Sequence, residues 1–185
     1  MKQLGFQILN KKNINFFGGA YLKNSNPKTA RPISHKRSMH LVLRSSYAKG
    51  EYSLLKSDRR IRKILWTQGK TFGVKIYHLA NGGNHLHLII LPRSRIAFNG
   101  FIRAVSGLIA RAVLDVERGR ALGFKFWDKR PFTRILEWGR EFKVVSNYLL
   151  QNTLEALGFI PYQPRSYKLK PAPNDPLDSM QIFRK

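Results

Sequence analysis

The triplet His85-Leu86-His87 lies within Asn84-His85-Leu86-His87-Leu88-Ile89-Ile90-Leu91, an apolar run that reads as a buried strand. Strand side chains alternate faces, so His85 and His87 share one face about 7 Å apart while Leu86, Leu88 and Ile90 enter the core. Two imidazoles held this way are a divalent-metal ligand pair short of a third ligand. The plain alternative is two surface histidines on a half-exposed strand. A second pair of polar groups sits on a helical stretch. Tyr148 and Asn152 are four residues apart and offset by only about 40° around a helix axis, so a phenol hydroxyl and an amide oxygen can face one point. Gln151, offset by about 60° on the other side, is the rival amide. A tyrosine closing the core edge and a solvated asparagine are the plain readings of this second pair.

Those residues need a scaffold. Met39-His40-Leu41-Val42-Leu43-Arg44 reads as a first core strand, and Ser57 as the cap of a basic helix with apolar positions Ile61, Ile64, Leu65 and Phe72, ended by Gly73. Val74 to Leu79 alternates as a second strand. Asn81-Gly82-Gly83-Asn84 is a turn signal that makes it an antiparallel hairpin with the histidine strand. Phe98, Phe101, Ile102, Val105, Leu108, Ile109, Ala112 and Val116 recur at helical spacing, with Arg103, Arg111 and Arg118 on the other side. Phe124 to Leu136 reads as a fourth strand, and Glu141 to Leu157 as a final helix stopped by Gly158. The order strand, helix, strand, strand, helix, strand is the α+β split βαβ, or ferredoxin-like, arrangement, with both helices on one sheet face and the other face open.

The chain has 185 residues, with 34 Lys+Arg against 10 Asp+Glu, a formal charge of +24 and a pI near 11.0. One domain of about 120 residues, numbers 39–158, is expected between a basic arm, 1–38, and a basic tail, 159–185. The arm either pairs as an edge strand or orders on nucleic acid. Such a charge calls for a polyanion, and because the cations run through the whole chain, nucleic acid suits it better than a membrane surface. No apolar run approaches the length of a membrane span, and the first residues lack a signal-peptide core, so a cytoplasmic, nucleoid-associated protein is expected. With no cysteine in the sequence, any metal must be held by nitrogen and oxygen. The acidic residues are too scattered for a carboxylate cluster. His40 on the first strand reads as packed, or as a group behind the histidine pair.

Asn84-His85-Leu86-His87-Leu88, the amphipathic helix, Lys125-Phe126-Trp127-Asp128, Trp138-Gly139-Arg140-Glu141-Phe142 and Tyr148-Leu149-Leu150-Gln151-Asn152 follow one another in this order. The set resembles the HUH single-tyrosine transposases, in particular their REP-associated branch, over roughly residues 39–158. The resemblance implies a ferredoxin-like palm and a divalent metal, Mg²⁺ or Mn²⁺, held by His85, His87 and the helix amide. It also implies that Tyr148 is a nucleophile cleaving single-stranded DNA through a 5′-phosphotyrosine link, on hairpins of palindromic repeats. Relatives often follow the amide with proline where Thr153 stands here, which leaves Asn152 and Gln151 both open as the ligand.

The residue chemistry agrees with that implication. A phosphodiester repels nucleophiles, and a divalent ion offsets that repulsion. Tyrosine, with a pKa of about 10, must be aimed or deprotonated before it attacks. Arg37, Arg103, Arg111, Lys129, Arg130, Arg134, Arg165 and Lys168 are the candidate backbone contacts, and the resemblance to the REP-associated branch implies a monomer acting on its own site rather than a homodimer. A non-catalytic nucleic-acid regulator on the same fold, and a replication-initiator or relaxase-type nickase, are the alternative functions.

Overall fold

The computed structural model describes residues 17–18, 30–117, 120 and 123–162. Eight elements follow the chain. They are β1 (Phe17–Gly18), β2 (Met39–Arg44), α1 (Asp58–Phe72), β3 (Val74–Asn81), β4 (His85–Pro92), α2 (Arg95–Leu114), β5 (Phe132–Ile135) and α3 (Arg140–Ala156). The strands form one antiparallel sheet in the order β1-β5-β2-β4-β3. Within it β5-β2-β4-β3, with α1 and α2 as crossovers, is the split βαβ arrangement expected from the sequence.

Alternation divides the sheet cleanly. Leu41 and Leu43 of β2 and Leu86, Leu88 and Ile90 of β4 face one way and pack with Ile61 and Leu65 of α1 and Phe101, Val105 and Ile109 of α2. Each such buried side chain contributes roughly 1.5–3 kcal/mol of transfer free energy. Gly73 ends α1 in the left-handed region at φ 67°, a conformation that glycine adopts without steric cost. The hairpin β3–β4 forms where the Asn-Gly-Gly-Asn signal stood. Ser94 caps α2, its hydroxyl accepting the Ala97 amide hydrogen at 3.1 Å, so that helix opens at Arg95, three residues before Phe98.

Four expectations are corrected. The fourth strand is not thirteen residues long: only Phe132–Ile135 pairs. Pro131 has no amide hydrogen for a ladder, and Asp128 turns aside to accept the Ser46 amide and hydroxyl and to pair with Arg44 at 3.4 Å. The sheet face opposite α1 and α2 is not open either, because α3 lies on it, with Val145 and Leu149 packed beside Leu136, Ala80 and Ile89. By length and composition alone α2 is apolar enough to cross a membrane. It packs instead as a core helix, burying Phe98, Phe101, Val105, Ile109 and Val113. Ser57 stands at the N-cap of α1 without making a side-chain cap bond.

Two residues of the N-terminal arm, Phe17 and Gly18, pair with β5 as an edge strand. Arg31 is tied to the same region, donating to the Pro131 carbonyl at 2.6 Å and to Thr133 Oγ1 at 3.3 Å. Burial, and secondarily the charge of neighbouring Arg130, lower its guanidinium to about 10. The other arm residues before 30, and the tail beyond residue 162, lie outside the described residues.

Candidate active site

The face under α3 is built from alternate residues of four strands. The register sets Val42 opposite His87, Arg44 opposite His85, His40 opposite Ile89 and Arg134 opposite His40. Directly opposed residues share a face, so three histidines and an arginine converge on one patch. His85 and His87 stand with ring centroids 4.7 Å apart and planes nearly perpendicular.

Each ring is held through Nδ1. His85 Nδ1 lies 2.6 Å from Asn84 Oδ1, and His87 Nδ1 lies 3.0 Å from His40 Nε2. Second partners of this kind orient histidine ligands and set their tautomers. With Nδ1 of each ring so engaged, Nε2 is the atom each would offer a ligand, a donor set that fits a divalent ion bound by nitrogen and oxygen. Gly82 borders the site: a Cβ there would come within 2.6 Å of His85 Nε2, so any side chain at this position would displace the ring.

His40 is fully buried. Burial, and secondarily the charge of Arg134, lowers it to about 3, which keeps it neutral throughout the physiological range. Its Nδ1 is buried without a hydrogen-bond partner.

Tyr148 reaches this patch from above, on the same chain. Its ring meets His87 edge-on with centroids 5.5 Å apart, and His40 at 6.5 Å. Val145 and Leu149, one turn before it and one residue after it, anchor α3 on the sheet and fix this approach.

The two rival amides part company. Asn152 is buried, with its Nδ2 donating to the Tyr148 carbonyl at 3.0 Å, which makes Oδ1 the atom that would ligate. Gln151 instead donates to Glu155 Oε1 at 3.0 Å. Among the described residues no group of three or more His, Asp or Glu side chains could hold a metal.

The expected DNA-contacting cations are dispersed. Arg134 borders the histidine patch and pairs with Glu141 at 3.2 Å. Arg37 pairs with Glu137 at 3.6 Å, while Lys129 and Arg130 are exposed in the segment before β5. Arg103 and Arg111 belong to α2, on the opposite sheet face. Arg103 is exposed, and Arg111 has a buried Nε without a hydrogen-bond partner. Arg165 and Lys168 lie outside the described residues.

Trp127 is half-buried and donates to the Ser106 carbonyl at 2.9 Å, so it packs. Trp138 remains exposed, beside Tyr77 and Phe142. The bond from His40 to His87 is the feature that sequence reasoning missed. Strand alternation already put both on a common pleat, and only the register of β2 against β4 was lacking.

No protein-family model matches the chain, and no curated protein matches it. Among solved structures, the chain is similar to a Deinococcus radiodurans R1 protein provisionally described as a transposase. The two are 16% identical, with 69% of this chain and 98% of that one covered and a TM-score of 0.42.

Proposed function

We propose that the protein is a metal-dependent tyrosine transposase of the HUH type, a nuclease and strand transferase acting on single-stranded DNA. The observation that carries this reading is the approach of Tyr148 to within 5.5 Å, ring to ring, of a histidine that is itself 4.7 Å from a second one, all in one chain. A binding module needs no such convergence.

His85, His87 and Asn152 would hold a divalent ion, Mg²⁺ or Mn²⁺, which when bound neutralises charge on the scissile phosphate. The chain's own residues supply aim and environment. α3 fixes Tyr148 over the patch, and this lowers the entropic cost of bringing phenol and phosphorus into line. Arg134 and the overall charge of +24 favour the DNA phosphate.

In the proposed step the Tyr148 oxygen attacks phosphorus and the bond from phosphorus to the 3′ oxygen breaks. The phenolic proton leaves to solvent, and the 3′ oxygen departs as a hydroxyl after taking up a proton. The product is a 5′-phosphotyrosine with a free 3′ end. Since one phosphodiester replaces another, an incoming 3′-OH can reverse the step, which joins strands rather than merely cutting them. The geometry within one chain favours a monomer acting on its own site. Repeat hairpins as substrate and a cytoplasmic, nucleoid-associated location complete the proposal.

The test is covalent trapping on pooled single-stranded hairpins with Mn²⁺. Wild type should form denaturation-resistant protein–DNA adducts and Tyr148→Phe none, with DNA affinity within about threefold. An unchanged adduct yield in Tyr148→Phe removes the tyrosine from the role. Absence of any adduct, with chelator-insensitive DNA binding, leaves a non-catalytic binder.

A further inference from the structure

A second feature lies at the far end of the same sheet. Where β3 begins and β4 ends, with Val74 paired to Pro92, a cavity of about 530 Å³ opens beside the last turns of α1. It is bordered by Trp66 and Lys70 of α1, Lys75 of β3, Arg93 just after β4, and His35. Seven residue steps of β4, from Pro92 back to His85, span about 23 Å at strand rise.

Its chemistry is one-sided. No carboxylate lines it. Among the described residues every ion pair lies elsewhere, so Lys70 and Arg93 have no acidic partner, whereas the Lys75 ammonium lies over the Tyr77 ring, 4.8 Å from its centroid. In a chain of 34 basic residues some cations must go unpaired, but Lys70 and Arg93 border one concavity, and that concavity also presents an indole. Trp66 is 42% exposed and sits one turn before Lys70 on the same helix flank. An aromatic face left half in water next to unpaired cations is the combination that stacks an unpaired base and holds its phosphates.

The walls are fixed. A Cβ at Gly69 would come within 2.9 Å of the Val74 carbonyl, so α1 is closely applied to β3. Gly73 lies so close under the Arg93 arm that a Cβ would meet its Cδ at 2.6 Å, and the Arg93 amide donates to the Gly73 carbonyl at 3.1 Å. The Arg93 arm, though exposed, is thus laid across the glycine that ends α1. The volume falls within the range of small-molecule pockets and accommodates one nucleotide.

We propose that this cavity binds an unpaired nucleotide of single-stranded DNA, with its base on Trp66 and its adjoining phosphates on Lys70 and Arg93. It forms an anchor remote from Tyr148. The proposal rests on the reading of the substrate as nucleic acid, and not on the nicking chemistry.

The experiment is fluorescence anisotropy of a labelled single-stranded 20-mer across a salt series. Trp66→Ala should weaken binding by about 5- to 150-fold, the range for loss of one base–aromatic stack, with little change in salt slope. Trp66→Phe keeps a ring and should recover most of the affinity. Lys70→Ala/Arg93→Ala should flatten the slope of log K against log salt by about 1.4, the share of two phosphate contacts on a single strand. Melting temperatures check that each variant folds.

Affinities and slopes equal to wild type in all three variants overturn the proposal, and so does a loss confined to anionic lipid vesicles. Wild type that adds covalently to DNA while these variants bind normally sinks the cavity alone. Variants that weaken binding in a protein forming no adduct leave the cavity standing and remove the nicking reading. A wild type that binds no oligonucleotide removes both.

Discussion

His40 Nε2 and His87 Nδ1 lie 3.0 Å apart, joining two strands through a buried imidazole pair. Only one of the two nitrogens can carry the shared proton. If His87 Nδ1 donates, its Nε2 keeps the lone pair that a cation needs. If His40 donates, the proton of His87 sits on Nε2 and blocks it. On the proposed reading His40 is therefore a positioning residue that acts through His87. His40→Phe removes the acceptor and should weaken Mn²⁺ binding by about 10- to 100-fold. His40→Gln can present an amide oxygen near the position of Nε2 and should stay within severalfold of wild type. Isothermal titration with Mn²⁺ checks this, and equal affinity in wild type and His40→Phe excludes the role.

The same burial gives a pH signature in stability. The His40 side chain titrates at about 3 in the folded protein, against about 6.5 unfolded. The unfolded chain thus binds the proton first, and stability present above pH 6.5 is lost progressively as the pH falls toward 3. One such group changes unfolding free energy by about 1.4 kcal/mol per pH unit inside that window. Between pH 7 and pH 5, above most carboxylate titration, wild type should lose about 2 kcal/mol more than His40→Gln. Urea unfolding at pH 5, 6 and 7 measures the difference. Parallel curves for the two proteins would mean that His40 takes up its proton without cost in the folded state.

What could be read from the sequence follows the range of the interactions involved. The β3–β4 hairpin, the faces of Leu86 and His87, and the ends of α1 at Gly73 are set by near neighbours, and period and turn chemistry expose them. Tyr148 and Asn152 were legible as one flank of a helix for the same reason. The landing place of that helix was not. That α3 closes the histidine face depends on Val145 and Leu149 finding Ile89 and Leu136, contacts that no local pattern encodes. The overlong reading of β5 arose because Phe124, Phe126 and Phe132 look alike as strand formers, whereas Pro131 and the Asp128 bonds to Ser46 decide the matter.

The amide ligand gives the last prediction, because the structure separates two residues that the sequence left level. Asn152 is buried against the Tyr148 turn, and Gln151 is engaged by Glu155. Removing a ligand should cost at least what removing a second partner does, about tenfold in metal affinity. Asn152→Ala should therefore shift the Mn²⁺ dependence of adduct formation to at least about tenfold higher concentration, and excess metal should restore part of the yield. The lost bond to the Tyr148 carbonyl adds about 1 kcal/mol of destabilisation, which a melting curve reports separately. Gln151→Ala should leave the Mn²⁺ midpoint within about twofold of wild type. A shifted midpoint in Gln151→Ala beside an unshifted one in Asn152→Ala would exchange their roles, and it would require α3 to turn about its axis when DNA and metal bind.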